Sequence, residues 1–300
     1  SMSVVVPGAG RDESLVAKTL FGLEGVLADE LRLLGAKEVK TVPRAVTFVG
    51  DLGFMYKANL MLTTALRVLR PIHEFGVLTK EDLYRGSLEV AWPDWFSPDS
   101  TFVVRRSGAH PAFTHSGFAA LVVKDAVADS FRKKFGRRPD VGKENPDIVI
   151  DVRLTPQRAH LSLDSSGHSL HRRGYRQEVG SAPMSEVLAA GILRLVGYRG
   201  DRPLLDPMCG SGTFPIEAAL QADRMAPGLF RDKFAFQSWS DYSEDLHAKI
   251  EESVLKKGRE GLAPIFGWDR EAYMLVKARK NAEAAVVDER IQWKRQTFIG

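Results

Sequence analysis

The string Pro203-Leu204-Leu205-Asp206-Pro207-Met208-Cys209-Gly210-Ser211-Gly212-Thr213-Phe214-Pro215-Ile216-Glu217-Ala218-Ala219-Leu220 restricts the fold more than any other stretch of the chain. A short apolar run ends at an acid, a turn with two glycines follows, and then comes a segment with helical apolar spacing. This reads as strand, loop and helix. Gly210 and Gly212 let bare backbone come close to a ligand, as glycine alone allows. The helix beginning near Thr213 turns unpaired N–H groups toward the loop. Asp206, at the strand's carboxyl end, can accept from an ammonium or a hydroxyl. The site suits a ligand with one anionic and one cationic end, such as an amino acid tail. Two phosphate motifs are excluded: there is no Gly-Lys-Ser/Thr for a P-loop, and no third glycine for a dinucleotide fingerprint.

Alternating elements surround that string. Leu78 onward aside, Leu15–Leu20 reads as a strand, and Leu23, Val26, Leu27, Leu31 and Leu34 share one helical face that Gly35 ends. Val39–Val42 and Ala45–Val49 read as strands, Tyr56–Leu69 as a helix, and Arg70–Phe75 as a short edge strand. The order β-α-β-β-α-β is that of a ferredoxin-like unit. A second α/β module follows. Leu83–Ala91 and His115–Lys134 read as its helices, and Thr101–Arg106, Asp147–Leu154 and Arg158–Leu163 as its strands. Trp92 and Trp95, around Pro93, read as loop anchors. The third unit carries helices at Ser185–Val196, Phe214–Ala222, Asp241–Gly258 and Arg270–Ala285. Its strands are Leu204–Asp206, Pro264–Trp268 and Ile291–Arg295. Such alternation implies a parallel, doubly wound sheet with ligand at the carboxyl ends of its strands. The expected boundaries are a tag residue and flexible tail over 1–14, a ferredoxin-like domain over 15–77, a second domain over 78–170, a linker over 171–184 and the third domain over 185–300.

Cys209 is the single cysteine, which excludes an intrachain disulfide and a cysteine-rich metal cluster and fits a reducing cytoplasm. It reads as a small residue filling the loop rather than as a nucleophile, since no partner base is in evidence. His110, His115, His160, His168 and His171 match no zinc spacing, so no metal is expected. No apolar run approaches membrane-spanning length and no secretory signal opens the chain, so a cytoplasmic protein without a membrane partner is expected.

A net charge of +4 is too small to argue for nucleic acid by itself. Its distribution says more. Arg132, Lys133, Lys134, Arg137, Arg138 and Lys143 crowd one segment, and His171, Arg172, Arg173 and Arg176 another. Either cluster can be a footprint for phosphates. The first can equally complement a helix dipole, and the second can be a charged loop. Tyr175 can stack on a nucleotide or pin the linker onto the third unit.

Several strings together resemble the RNA methyltransferases that carry a THUMP domain, and most resemble the bacterial enzymes that methylate guanine N2 in large-subunit ribosomal RNA. Asp164-Ser165-Ser166-Gly167-His168-Ser169-Leu170-His171-Arg172-Arg173-Gly174-Tyr175-Arg176 resembles the stretch joining THUMP to the catalytic domain. Leu205–Thr213 resembles the S-adenosylmethionine loop. Arg224-Met225-Ala226-Pro227-Gly228-Leu229, with Phe236 and Trp239, resembles an insertion of the ribosomal branch, and Pro146-Asp147-Ile148 a THUMP strand entry. The resemblance covers nearly everything after residue 14. It implies a mixed α/β and α+β chain: a ferredoxin-like unit, THUMP over 78–170, and the N-terminal part of a Rossmann-like methyltransferase domain.

The resemblance also implies roles. S-adenosylmethionine would be the cofactor, held by Asp206, Met208, Cys209, Gly210, Ser211, Gly212 and Thr213, with Asp269 accepting from the ribose hydroxyls. A helix N-cap before Arg270–Ala285 is the other reading of Asp269; the two uses are compatible, and the ligand role is favoured. Large-subunit ribosomal RNA or its precursor would be the partner, and the two basic clusters supply the residues expected to hold it: Arg132, Lys133, Arg137 and Arg138 from the first, and Arg172, Arg173, Tyr175 and Arg176 from the second. Two departures stand out. Gln296-Thr297-Phe298 stands where the family often has an acid near the adenine. The family's catalytic Asn/Asp-Pro-Pro-Tyr/Phe signature is absent through Gly300, so this stretch is expected to be a fragment, inactive alone, and no catalytic residue is assigned. The alternatives are a transfer-RNA guanine methyltransferase, from which the Ala226-Pro227-Gly228 insertion points away, and a non-catalytic RNA-binding protein if the natural chain ends there.

Overall fold

A computed structural model describes residues 4–115, 117–176, 184–255 and 259–297 of the chain. Strand β1 (Glu13–Lys18), helix α1 (Glu24–Leu34), strands β2 (Lys37–Val42) and β3 (Ala45–Gly50), helix α2 (Leu52–Met61) and strand β4 (Arg67–Gly76) follow in β-α-β-β-α-β order. Their strands lie antiparallel as β2-β3-β1-β4. Helix α1 buries Leu27, Ala28 and Leu31 and stops at Gly35, whose φ of 103° is the left-handed turn that glycine tolerates. Asp51 caps α2 by accepting from Phe54 N–H at 2.8 Å.

The second unit contains helices α3 (Lys80–Leu88), the single turn α4 (Trp92–Trp95) and α5 (Phe118–Phe135), with strands β5 (Phe102–Gly108), β6 (Ile148–Leu154) and β7 (Arg158–Asp164). It is not a separate sheet. β7 pairs with β4, giving one seven-stranded sheet in the order β2-β3-β1-β4-β7-β6-β5. One apolar core underlies both units, with Trp92 and Trp95 inside it.

Two local expectations fail at one place. The helix expected over Tyr56–Leu69 ends at Met61, and the edge strand expected over Arg70–Phe75 is a ten-residue inner strand. The cause is Glu30 on α1. Its buried carboxylate accepts from Thr63 N–H at 3.0 Å, from Thr64 N–H at 2.9 Å, and from both hydroxyls. Those N–H groups can no longer serve the helical ladder, and the chain turns into the sheet. Pro71 inside β4 has no N–H to give, and the β4–β7 register slips between Pro71 and His73 to accommodate it.

The segment expected as a flexible tail is also held. Val5 N–H donates to Ile72 O at 2.8 Å, Val4 and Val5 pack on the core, and Gly8 N–H donates to Asp241 Oδ2 at 2.9 Å. The apolar pair had a groove to fill, which short-range periodicity does not register.

The third unit comprises α6 (Glu186–Leu195), β8 (Leu204–Asp206), α7 (Thr213–Ala222), α8 (Glu244–Val254), β9 (Ile265–Asp269), α9 (Ala272–Ala284) and β10 (Ile291–Arg295). β8, β9 and β10 form a parallel three-stranded sheet. A second core, with Ile216, Leu220, Ile265, Ala282 and Ile291, lies between that sheet and its helices.

Helix α8 does not join this sheet. It packs on α2, and the stretch before it enters the first core through Ala226, Phe234, Phe236 and Trp239. Phe236 stacks on Tyr56 at 4.4 Å, and Tyr56 Oη accepts from Ser243 N–H at 3.1 Å. Gly228 is obligatory here, since a Cβ would lie 2.6 Å from Leu60 Cα. Arg70 completes the joint. Its guanidinium pairs with Glu13 and Asp241 at 2.9 and 2.8 Å and lies 4.8 and 5.4 Å from the Trp95 and Trp239 rings.

Candidate functional site

Strand β8 delivers Asp206 to the start of the glycine loop, and β9 delivers Asp269 beside it. Met208 N–H donates to Asp206 Oδ1 at 3.1 Å. Gly210 N–H donates to Asp269 Oδ2 at 3.0 Å, Glu271 N–H to Asp269 Oδ1 at 2.9 Å, and Cys209 N–H to Trp268 O at 2.8 Å. The loop is thus laced to the carboxyl end of the neighbouring parallel strand, where α/β sheets place their ligands. Asp269 thus ties the turn before α9 to the glycine loop, while the N-cap position of α9 itself falls on Glu271.

The two glycines do different jobs. Gly210 has a φ of 54°, and a Cβ there would meet only the Met274 methyl, at 3.7 Å. Its open side is room for a ligand. Gly212 has a φ of 88°, and a Cβ would press on Ala278 at 3.0 Å and on the Trp293 ring at 3.1 Å. It seats the loop against α9 and β10.

Among the eight expected cofactor residues, Asp206, Gly210 and Asp269 are half-buried and Met208 is exposed, while Cys209, Ser211, Gly212 and Thr213 are buried. Ser211 O accepts from Asn281 Nδ2 at 3.0 Å, and Thr213 Oγ1 accepts from Arg176. The Thr213 side chain and the Ser211 carbonyl are thus engaged within the protein. Burial, with Asp206 and Asp269 nearby, pushes the Cys209 thiol up to about 12, which leaves it protonated and unsuited to nucleophilic attack. Burial also raises Asp206; the Met208 N–H pulls the other way, and the charge of Asp269 adds to the rise. A cationic or hydroxyl-bearing ligand would relieve that crowding of two carboxylates. The residues therefore fit a molecule with an ammonium end and a ribose.

The linker residues differ from expectation. Arg173 and Tyr175, expected to touch RNA, are buried. Arg173 donates to Glu217 Oε1 at 2.8 Å, Thr63 O at 2.7 Å and Leu170 O at 3.0 Å, and Tyr175 Oη donates to Glu217 Oε2 at 2.7 Å. Arg176 bonds Thr213 Oγ1, Met184 O and Glu186. All three fasten the linker to α6 and α7: Glu217 on the buried face of α7 draws Arg173 and Tyr175 inward, and Glu186 on α6 holds Arg176. Arg172 remains exposed. Residues 177–183 of the expected linker, and Phe298 beyond Gln296-Thr297, lie outside the described residues.

At the end of α5, Arg132 pairs with Asp129 at 3.1 Å and Arg137 with Asp99 at 2.7 Å. Lys133 is exposed, and Arg138 donates to Pro139 O at 3.1 Å with its guanidinium 6.0 Å from the Phe102 ring. Among the described residues no group of three His, Cys, Asp or Glu is arranged to hold a metal. No helix among them is long and apolar enough to cross a membrane.

Sequence reasoning missed Glu217 and Glu186. An acid inside the apolar run Thr213–Ala222 was the available signal for the first, since a buried carboxylate needs a cationic partner.

Residues 14–69 match the RlmL ferredoxin-like domain, 78–164 the THUMP domain, and 173–299 the RMKL-like methyltransferase domain. A Synechocystis protein named "Putative RNA methyltransferase slr0064" is 40% identical over 278 residues, covering 92% of this chain and 72% of that protein. The crystal structure of a "predicted N6-adenine-specific DNA methylase" from Listeria monocytogenes superposes with a TM-score of 0.86 at 31% identity, over 96% of this chain and 75% of that one. That of SMU.472, "a putative methyltransferase complexed with SAH", gives 0.84 at 30% identity, over 96% and 76%.

Proposed function

This chain belongs to the methyltransferases that join an RlmL-type ferredoxin-like domain, a THUMP domain and an RMKL-like catalytic domain, and from that premise we propose that it serves to methylate the exocyclic N2 of a guanine in large-subunit ribosomal RNA. S-adenosylmethionine is the cofactor, and it supplies a methyl carbon activated by a sulfonium leaving group. The observation carrying the reading is the loop held between Asp206 and Asp269 at the ends of two parallel strands.

In this reading Asp206 accepts from the ammonium of the methionine part, the open backbone at Gly210 lets the ligand lie close, and Asp269 accepts from the ribose hydroxyls. Met208 forms the exposed rim. Guanine N2 is a weak nucleophile, its lone pair drawn into the ring. The protein's task is therefore to extrude the base, accept from its amine hydrogens and align the amine for in-line displacement. The Arg173–Glu217 joint holds α7, and with it the loop, in fixed relation to the RNA-holding units. The exposed Arg132, Lys133, Arg137 and Arg172, with Arg138, supply phosphate contacts.

RNA rather than DNA is favoured by the THUMP domain and by the name of the Synechocystis relative; the adenine and DNA terms in the Listeria title belong to that protein. The test gives the full-length protein tritiated S-adenosylmethionine with unmodified large-subunit ribosomal RNA, transfer RNA or duplex DNA, followed by nucleoside digestion. N2-methylguanosine from ribosomal RNA alone is expected. The same nucleoside from transfer RNA alone, N6-methyladenine from DNA, or no incorporation overturns the reading.

A further inference from the structure

Where the THUMP unit meets the stretch before α8, an open hollow is lined by Arg105, Asn145, Asp147, His168, Lys233 and Phe234. Arg105 stands on β5, His168 on the turn after β7, and Lys233 comes from the third unit. Three chain segments far apart in sequence therefore converge on one spot. Arg105 Nη1 is buried and has no hydrogen-bond partner. A buried, unpartnered guanidinium N–H is costly, and native proteins rarely keep one without a use for it.

The hollow and the residues around it also have an excess of positive charge. Arg67 is matched by Asp164 at 2.7 Å, and Lys233 lies 3.9 Å from Asp147. Arg105, Arg172 and Arg231 form no ion pair among the described residues. Arg231 has its four terminal N–H contacts on main-chain oxygens, to Ser166, His168, Ser169 and Arg172, at 2.9–3.0 Å. It shapes the turn without cancelling any charge. Burial, and then Arg172, Arg231, Arg105 and Lys233 in turn, lower the pKa of His168. Four cations thus bear on a single imidazole.

The geometry points to a phosphate seat in this hollow, in which Arg105 and Lys233, with His168, hold one phosphodiester of the RNA substrate. It rests on the reading that the substrate is RNA and adds where its backbone is gripped. The seat lies on the joint between units, so one phosphate contacts the THUMP sheet and the third unit together. This would set the distance between the RNA-holding surface and the cofactor loop. Asp147 also lines the hollow and already pairs with Lys233, so a phosphate there competes with that carboxylate.

The test measures affinity of the full-length protein for an unmodified ribosomal RNA fragment over a series of potassium chloride concentrations. Wild type is compared with Lys233→Gln, with Arg105→Gln, and with the exposed surface control Lys249→Gln. Each seat variant is expected to bind more weakly at low salt. Each should also flatten the slope of log affinity against log salt by roughly 0.7–0.9, the value of one lost phosphate contact. The control should change neither. Lys233 is half exposed and its loss should leave the fold intact, which a melting curve checks, so the proposal does not depend on Arg105→Gln folding. Unchanged slopes in Lys233→Gln overturn the seat. Nucleoside analysis of wild-type product is scored separately: RNA binding with the expected slopes but a different methylated base overturns the guanine reading and leaves the seat standing.

Discussion

Arg173 Nη2 and Glu217 Oε1 lie 2.8 Å apart, each side chain only 2% exposed. The pair joins the segment leaving the THUMP unit to the helix that begins at the cofactor loop. Glu217 is shared with the Tyr175 hydroxyl, and Arg173 also reaches Thr63 O on the far side of the joint. Burial and the Glu217 charge hold the Tyr175 phenol well above its ordinary pKa, so it remains a donor at every working pH.

Removing one partner leaves the other charged and buried. Glu217→Ala is expected to cost about 3–5 kcal/mol of stability. Replacing Arg173 and Glu217 together by apolar residues should cost less than Glu217→Ala alone. Denaturant midpoints at constant slope would measure both. A Glu217→Ala variant within about 0.5 kcal/mol of wild type, the scatter of an ordinary surface change, would contradict the role given to the pair.

At the loop, Asp206→Asn keeps size and removes charge. Binding of the demethylated cofactor is expected to weaken about tenfold, equivalent to about 1.4 kcal/mol in calorimetry. Asp206 titrates above its ordinary value when the site is empty, and a bound ammonium favours its ionised form. Binding should therefore release a proton, and affinity should rise with pH until Asp206 is ionised, then level off. A flat profile in wild type, or wild-type affinity in Asp206→Asn, would remove Asp206 from the site.

Gly210→Ala and Gly212→Ala should separate binding from folding. The first adds a methyl to open space, the second to Ala278 and Trp293. Gly210→Ala is expected to lose cofactor affinity with a stability cost of about 1–2 kcal/mol from its left-handed backbone. Gly212→Ala should lose more stability than Gly210→Ala in the same thermal scan. The reverse order would mean that the two glycines have been assigned the wrong way round.

Much of this was legible because the deciding signals are local. Gly35 ending α1, the strand–loop–helix at Asp206 and the alternation of the third unit all lie within a few residues of what they determine. What was not legible depends on contacts across the chain. Helix α2 stops at Met61 because Glu30, on another helix, takes the N–H groups of Thr63 and Thr64. The run His171–Arg176 looks like a solvated basic loop until Glu217 is seen to draw Arg173 and Tyr175 inside. Helix α8 has the periodicity of a sheet-covering helix, yet the aromatic run before it finds Tyr56 instead. At the hollow, Arg105 and Lys233 belong to no cluster in sequence at all.

Glu186 predicts a stability profile. Burial raises its pKa to about 7, outweighing the attraction of Arg176, and the charge of Glu217 adds to the rise. An acid raised in the folded state binds its proton more tightly there than in the unfolded chain. Stability should therefore be highest below the unfolded value and fall as pH rises from about 4.5 to about 7, by on the order of 3 kcal/mol. Glu186→Gln should flatten that part of the profile. Identical pH dependence in the variant and in wild type would show that Glu186 ionises normally.

Arg231→Lys tests whether a fork of donors, not a charge, forms the turn at Ser166–Arg172. A lysine keeps the cation but cannot reach four carbonyls spread over that turn. The loss should be about 2–4 kcal/mol, since several buried acceptors go unpaired at once. Protection of the amides at Gly167–Ser169 from hydrogen exchange should fall, while those of β9 stay as they were. Phe234, with the Arg231 guanidinium 5.1 Å from its ring, would keep its place against Phe236 because that stacking, at 5.2 Å, does not involve the arginine. If the turn stays protected in Arg231→Lys, charge alone suffices there and the fork is dispensable.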